Sequence, residues 1–382
     1  EEQVKIEKAV ELLANARQPI IYGGGGLINS GTQASQLLRE FADLTGYPVT
    51  LTLMGLGAFP ATDKNFLGML GMHGTYEANL AMHQCDVMLN IGARFDDRVT
   101  GRLADFSPSS KKIHIDIDPS SINKNVKVDL PIIGDAASIL EQMIKVWKEK
   151  GYKRNDRILS EWWKKIEVWR DKKCLEFKQD GKIIKPQHAI RRLFEKTQGK
   201  DTYITTEVGQ HQMWAAQHYS FKKNSIWLSS GGLGTMGYEV PSAIGAQVGA
   251  PDKTVWSICG DGGFQMTLGE LATVAENNLP IKYAILNNNH LGMITQWQDM
   301  FYNGQNMHET YTGNPDFVKL AEAYGIKGIR VENQNDLEQA IKEANNHKGP
   351  VIVDFVIEKV DYVYPMIPAG GSVDQLIEEE KN

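Results

Sequence analysis

Three cysteines in 382 residues, Cys85, Cys174 and Cys259, with no Cys-x-x-Cys pair among them, leave nothing from which to build a disulfide framework or a cysteine metal site. They are expected to be buried thiols in a reducing compartment. No apolar run approaches the length that crosses a bilayer, so no membrane partner is expected. An excess of basic charge is also missing: 41 lysines and arginines face 47 aspartates and glutamates, a formal net charge of −6. That balance argues against a nucleic-acid partner, whose recognition needs a basic footprint. The two halves share no repeat. The sequence opens at Glu1 inside a helical pattern rather than at a methionine, so a targeting segment or an earlier domain would not be visible in it.

What is present is the composition of a globular chain, 42% hydrophobic and 23% charged, too long for one ordinary core. Short β-rich runs at 19–22, 49–53, 87–91, 113–117 and 132–133 alternate with amphipathic stretches such as 33–44 and 78–84. A second series follows, with strands near 203–205, 226–228, 254–259, 282–286 and 351–355. Its helices are expected at 187–196, 241–248, 268–277, 316–324 and 335–346. Such alternation predicts an α/β fold: two doubly wound parallel-sheet domains joined by a helical connector. The expected boundaries are 1–147 for the first domain, 148–185 for the connector, 186–365 for the second domain and 366–382 for a C-terminal tail. Trp162, Trp163 and Trp169 in the connector read as packing anchors.

In doubly wound sheets, ligands gather beyond the carboxyl ends of the strands. The run 254–259 leads there into Gly260-Asp261-Gly262-Gly263, and the run 282–286 into Asn287-Asn288-Asn289-His290. Magnesium prefers a carboxylate, amide or carbonyl oxygens and phosphate oxygens. Asp261 offers the carboxylate and Asn288 the amide, while Gly260, Gly262 and Gly263 would let the backbone approach a diphosphate. Taken singly, an Asp-Gly turn and an asparagine-rich loop are common after strands. Together they match the Gly-Asp-Gly and Asn-Asn signature of thiamine-diphosphate enzymes.

Three further strings narrow the resemblance: Glu207-Val-Gly-Gln-His-Gln-Met-Trp214, Ser230-Gly-Gly-Leu-Gly-Thr-Met-Gly237 and Gly292-Met-Ile-Thr-Gln-Trp-Gln298. With them the chain resembles, over nearly its whole length, the catalytic subunit of the acetohydroxyacid synthase (acetolactate synthase) family. The resemblance implies that Val208, Gly209, Gln210, His211, Gly234, Met236, Leu291, Gly292 and Met293 join Gly260, Gly262, Gly263 and Asn288 in holding thiamine diphosphate. It implies Mg2+ on Asp261, Asn288 and the main-chain carbonyl of His290. Met236 would sit beneath the cofactor, and Trp297 and Arg98 would meet the second ketoacid. Glu239 stands where the family usually has glycine. The family's activating glutamate belongs to an N-terminal domain that this sequence does not contain, so the chain by itself is expected to be inactive.

The first half carries Gly23-Gly-Gly-Gly26, which fails the strict G-x-G-x-x-G spacing and so disfavours a nicotinamide dehydrogenase. A solvated charged loop is the simplest account of Arg94–Arg98 on composition alone. Similarity to the flavin-binding members of the family points instead to FAD, a flavoprotein. The implied contacts are Gly24, Gly25, Gly26, Thr52, Leu53, Met54, Met72, His73, Gly74, Gly92, Arg94, Asp96, Arg98, Val99, Asp116, Ile117, Asp135 and Ala136.

The implied activity condenses pyruvate, decarboxylated on thiamine diphosphate, with a second pyruvate or 2-ketobutyrate, at the entry to branched-chain amino acid biosynthesis. The implied partners are those ketoacids, a homo-oligomer with shared active sites and a small regulatory subunit, in a bacterial-type cytoplasm. Two alternatives stand beside it: another thiamine-diphosphate enzyme of pyruvate oxidase or glyoxylate carboligase type, or an inert cofactor-binding module.

Overall fold

A computed structural model describes residues 2–222, 226–305 and 313–379. The chain forms two compact units: Glu1–Glu176 with Ser220–Ser225 and Tyr364–Asn382, and Phe177–Tyr219 with Ile226–Val363.

The first unit is built on β1 (Pro19–Gly23), β2 (Val49–Leu51), β3 (Phe66–Met69), β4 (Val87–Ile91), β5 (Lys111–Asp116) and β6 (Leu130–Ile133). All pair in parallel, in the order β3-β2-β1-β4-β5-β6. β1 and β4 are buried along their full length, because helices cover both faces of a parallel sheet. The order reverses between β1 and β4, which places the crevice of a doubly wound sheet at the loops that follow them.

The second unit holds β7 (Thr202–Thr206), β8 (Trp227–Ser229), β9 (Thr254–Gly260), β10 (Lys282–Asn287), β11 (Lys327–Val331) and β12 (Val351–Val356). Its parallel order is β11-β12-β10-β9-β7-β8, and its reversal falls between β9 and β7. Phe264, Tyr283 and Phe317 form its aromatic centre, with ring centroids 5.6 and 5.9 Å from that of Phe264.

The α/β class with two parallel sheets is as expected, but two strands escaped the sequence reading. β3 and β11 each form one edge of their sheets; the opposite edges, β6 and β8, were legible, so the reason lies in the two strands themselves. β3 contains Gly68 at a positive φ of 95° and pairs with β2 through an irregular register. β11 is mostly half-buried.

The helix Asp156–Arg170 inside the expected connector lies in the first unit's core. Trp162 is 1% exposed among Ile20, Tyr22, Met82 and Cys85, and its indole N–H donates to the Pro19 carbonyl at 3.0 Å. Trp163 donates to the Gly46 carbonyl at 2.9 Å. The C-terminal segment also returns to the first unit: Ile367 N–H donates to Met72 O at 2.8 Å and Arg102 N–H to Gly371 O at 2.9 Å.

Candidate functional site

In the second unit, β9 and β10 are hydrogen-bonded neighbours with Leu286 opposite Gly260. Asp261 and Asn287–His290 therefore emerge side by side from one edge of the sheet. Asp261, 1% exposed, opens the short helix Asp261–Met266. One carboxylate oxygen accepts from Gly262 N at 3.0 Å and the other from Asn314 Nδ2 at 2.8 Å, and the Asn289 backbone also hydrogen bonds to the group. Burial nevertheless pushes its carboxyl up to about 6. Asn288 is buried, its side-chain oxygen accepting from His290 N at 3.1 Å. Asn289 adopts a left-handed φ of 58°, which turns successive asparagines in different directions.

At the β7 end, Glu207, Gln210 and His211 are all buried. Glu207 Oε1 stands 2.9 Å from His211 Nε2, yet neither Glu207 oxygen has a hydrogen bond of good geometry. Gln210 Nε2 donates to Gln296 Oε1 at 2.9 Å and to Asp361 O at 2.8 Å. The glycines have a specific use here. A Cβ on Gly263 would collide with the Glu207 carboxylate, one on Gly260 would come within 2.8 Å of His211 Nδ1, and one on Gly292 would overlap the Gln210 amide. These three glycines thus make room for buried side chains of the β7 loop, in addition to any approach of backbone to a ligand. Val208 lies 3.3 Å from a Cβ placed on Gly234, which has a positive φ of 68°. Gly209 precedes the helix Gln210–His218.

The remaining candidates lie on the segments around this edge. Gly234 is exposed and Met236 half-buried in the loop after β8. Leu291, Gly292 and Met293 begin the helix Gly292–Phe301, on which Trp297 is half-buried with its ring 5.5 Å from that of Phe301. Asn314 and Gln265, which hold Asp261 from outside the motifs, were missed by sequence reasoning. The only signal available was an asparagine far downstream in a polar segment. Glu239, first residue of the helix Glu239–Gly249, is fully buried and neither carboxylate oxygen has a hydrogen-bond partner. Burial, and then the nearby Glu207, hold its carboxyl well above the usual range.

In the first unit the FAD candidates line the carboxyl edge of the sheet. Gly24 and Gly26 pack against Gly92, so that a Cβ on Gly26 would meet the Gly92 Cα at 2.6 Å, while Gly25 faces Met54. Gly26 N donates to Gly92 O at 3.0 Å, closing the β1 loop on the β4 loop. Thr52 caps the turn Leu53–Gly55 after β2. Met72, His73 and Gly74 follow β3, and Met72 N donates to the Arg98 carbonyl at 2.7 Å, with Val99 beside it. Asp96 caps the turn Asp97–Thr100, and its carboxyl is raised by burial and by Asp97. Asp116 ends β5, accepting from Asp118 N at 2.9 Å, and Asp135 caps the helix Ala136–Glu149. Arg94 and Arg98 are exposed, as are Met54 and Ile117 at 38% and 69%. Cationic and apolar groups displayed along one sheet edge fit a ligand with both phosphate and ring.

Two family models match the chain. The model for the thiamine pyrophosphate enzyme central domain matches residues 6–143, and that for the C-terminal TPP-binding domain matches 207–355. The chain belongs to the thiamine pyrophosphate enzymes. Within them it is similar to acetolactate synthase large subunits. It is 45% identical to that of Haemophilus influenzae over 99% of this chain and 66% of the relative. It is also 45% identical to the Escherichia coli isozyme 3 large subunit, over 97% of this chain and 65% of the relative. A chloroplastic acetolactate synthase 2 of tobacco matches at 45% over 99% of this chain and 57% of the relative. The chain thus spans somewhat less than two thirds of the length of these relatives. Among the described residues no helix is long and apolar enough to cross a membrane.

Proposed function

We propose that the chain supplies the cofactor-holding part of an acetolactate synthase that joins pyruvate to a second pyruvate or to 2-ketobutyrate, in the cytoplasm of a bacterium. The observation that carries this reading is the placement of Asp261 and Asn287–His290 at adjacent strand ends, beside the buried loop of Glu207–His211. Among the described residues no group of three or more His, Cys, Asp or Glu side chains could hold a metal. A hard cation would rest instead on one carboxylate with amide and carbonyl oxygens, and Mg2+ takes such ligands together with phosphate oxygens. Asp261, Asn288 and the His290 carbonyl would hold it, and Gln210 and His211 would face the diphosphate.

When bound, thiamine diphosphate supplies the electron sink that a 2-ketoacid needs to lose carbon dioxide. The chain's share is to bind and orient. Met236 and Gly234 lie on the loop after β8, where they would meet the ring part of the cofactor. Trp297, half-buried on its helix, would border the acceptor ketoacid. FAD would lie along the carboxyl edge of the first sheet, its phosphates toward the Gly24–Gly26 turn and the cations Arg94 and Arg98. A homo-oligomer with shared sites and a small regulatory subunit complete the proposal.

Its test measures acetolactate formed from pyruvate with Mg2+, thiamine diphosphate and FAD. The chain is assayed alone and joined to the part of the Haemophilus influenzae subunit outside the aligned region. Activity in the joined protein that Asp261→Ala abolishes is the expected result. Pyruvate decarboxylated without acetolactate would favour a different enzyme of the same class.

A further inference from the structure

Asn314 lies outside every motif, in the segment that leads into the helix Phe317–Ala323. Its side-chain nitrogen has three oxygens within reach: Asp261 Oδ2 at 2.8 Å, Asn289 Oδ1 at 2.9 Å and Asn287 Oδ1 at 3.3 Å. On its other side Asn314 Oδ1 accepts from Gln265 Nε2 at 2.8 Å, and that same nitrogen donates to the Asp261 carbonyl at 2.9 Å. The amide orientation is therefore determined by its surroundings. Turned over, Asn314 would set an oxygen against three oxygens and a nitrogen against a donor.

From this geometry we infer that Asn314 is the positioning residue for the metal ligands, acting through Asp261 and through the turn that aims Asn288. The inference rests on the metal reading proposed above. The side chain bridges the two strand ends that carry the proposed ligands, touching Asp261 after β9 and, after β10, Asn287 and Asn289, which flank Asn288. With Gly262 N on Oδ1 and Asn314 on Oδ2, the Asp261 carboxylate is held in one rotamer, so its remaining lone pairs point in fixed directions. Holding the Asn289 side chain toward Asn314 leaves its neighbour Asn288 to project elsewhere, consistent with the left-handed backbone at Asn289. Mg2+ accepts little departure from octahedral geometry, and groups that orient its ligands contribute about 10–100-fold to metal affinity.

The probe is Mn2+ with thiamine diphosphate, added to the 382-residue chain and followed by electron paramagnetic resonance, which reports both bound fraction and coordination symmetry. Asn314→Ala and the nearly isosteric Asn314→Leu are each expected to weaken Mn2+ uptake about 10–100-fold. The spectrum of the bound ion should broaden, while the melting temperature without metal stays close to that of the parent. Asn314→Gln, which keeps the amide, should recover part of the affinity. Parent-like affinity in Asn314→Leu would overturn the inference, because shape alone would then suffice. Asp261→Ala serves as the control: if it leaves Mn2+ uptake intact, or the parent chain takes up none, the metal reading falls and the inference falls with it.

Discussion

Glu239 starts its helix with the side chain turned into the protein, where both carboxylate oxygens lack a hydrogen bond. An ionised carboxylate there would be costly, and the structure answers by holding the group protonated far above its usual range, through burial first and Glu207 second. The sign of the pH dependence follows. In the unfolded chain the group ionises near 4.5, so its contribution to stability is intact below that pH and is lost progressively as pH rises toward the folded value. Glu239→Gln removes the titration while keeping the shape. It should raise the melting temperature by about 2–4 °C or more at pH 8 and by much less at pH 4.5. Scanning calorimetry at the two pH values decides the matter, and a gain larger at the lower pH would contradict the buried-acid account. The resemblance flagged this position as unusual for its residue type, but the sequence contained no sign that the carboxyl would face Glu207.

At the scale of elements, the helix Asp156–Arg170 illustrates a connector that became core. Its N-terminus is capped by Asn155, whose side-chain oxygen accepts from Ile158 N at 3.2 Å, and its inner face presents Leu159, Trp162 and Ile166. The tryptophans were legible as packing anchors from their spacing among charged residues. Their partner was not, because nothing in that spacing says which sheet they meet. Trp162→Ala deletes a fully buried indole and its bond to Pro19, at a cost of about 3–5 kcal/mol. Urea unfolding followed by circular dichroism should show that loss, whereas Trp163→Phe, which forgoes mainly one hydrogen bond, should cost about 1 kcal/mol. Equal losses would mean that the indole of Trp162 is not the anchor. The edge strands β3 and β11 show the converse limit. Central strands such as β4 and β10 announce themselves as continuous apolar runs, while β3, interrupted by Gly68 at a positive φ, and β11, mostly half-buried, resemble loops in sequence.

For the whole molecule, the two units give each proposed ligand its own target. A ligand that binds only the folded state stabilises it by about 2.7 kcal/mol at a hundred times its dissociation constant. For units of this size that corresponds to roughly 5–10 °C. Thiamine diphosphate with Mg2+ should therefore raise the calorimetric transition of the second unit and FAD that of the first. Trp162→Ala should lower the transition that FAD raises. A shift of one and the same transition by both ligands would contradict the assignment of the flavin to the first sheet.

The sequence by itself determined the α/β class, the positions of the central strands and the motif pair at Asp261 and Asn288, because parallel strands buried on two faces and glycine-bordered ligand loops leave local patterns. Tertiary structure alone decided the rest. Strand order brought the ends of β7, β9 and β10 together, and packing filled the space beside Gly260, Gly263 and Gly292 with His211, Glu207 and Gln210. A distant asparagine, Asn314, came to rest on the Asp261 carboxylate. Such contacts join residues far apart in the chain, and their energies depend on burial and hydrogen-bond geometry that no local pattern encodes.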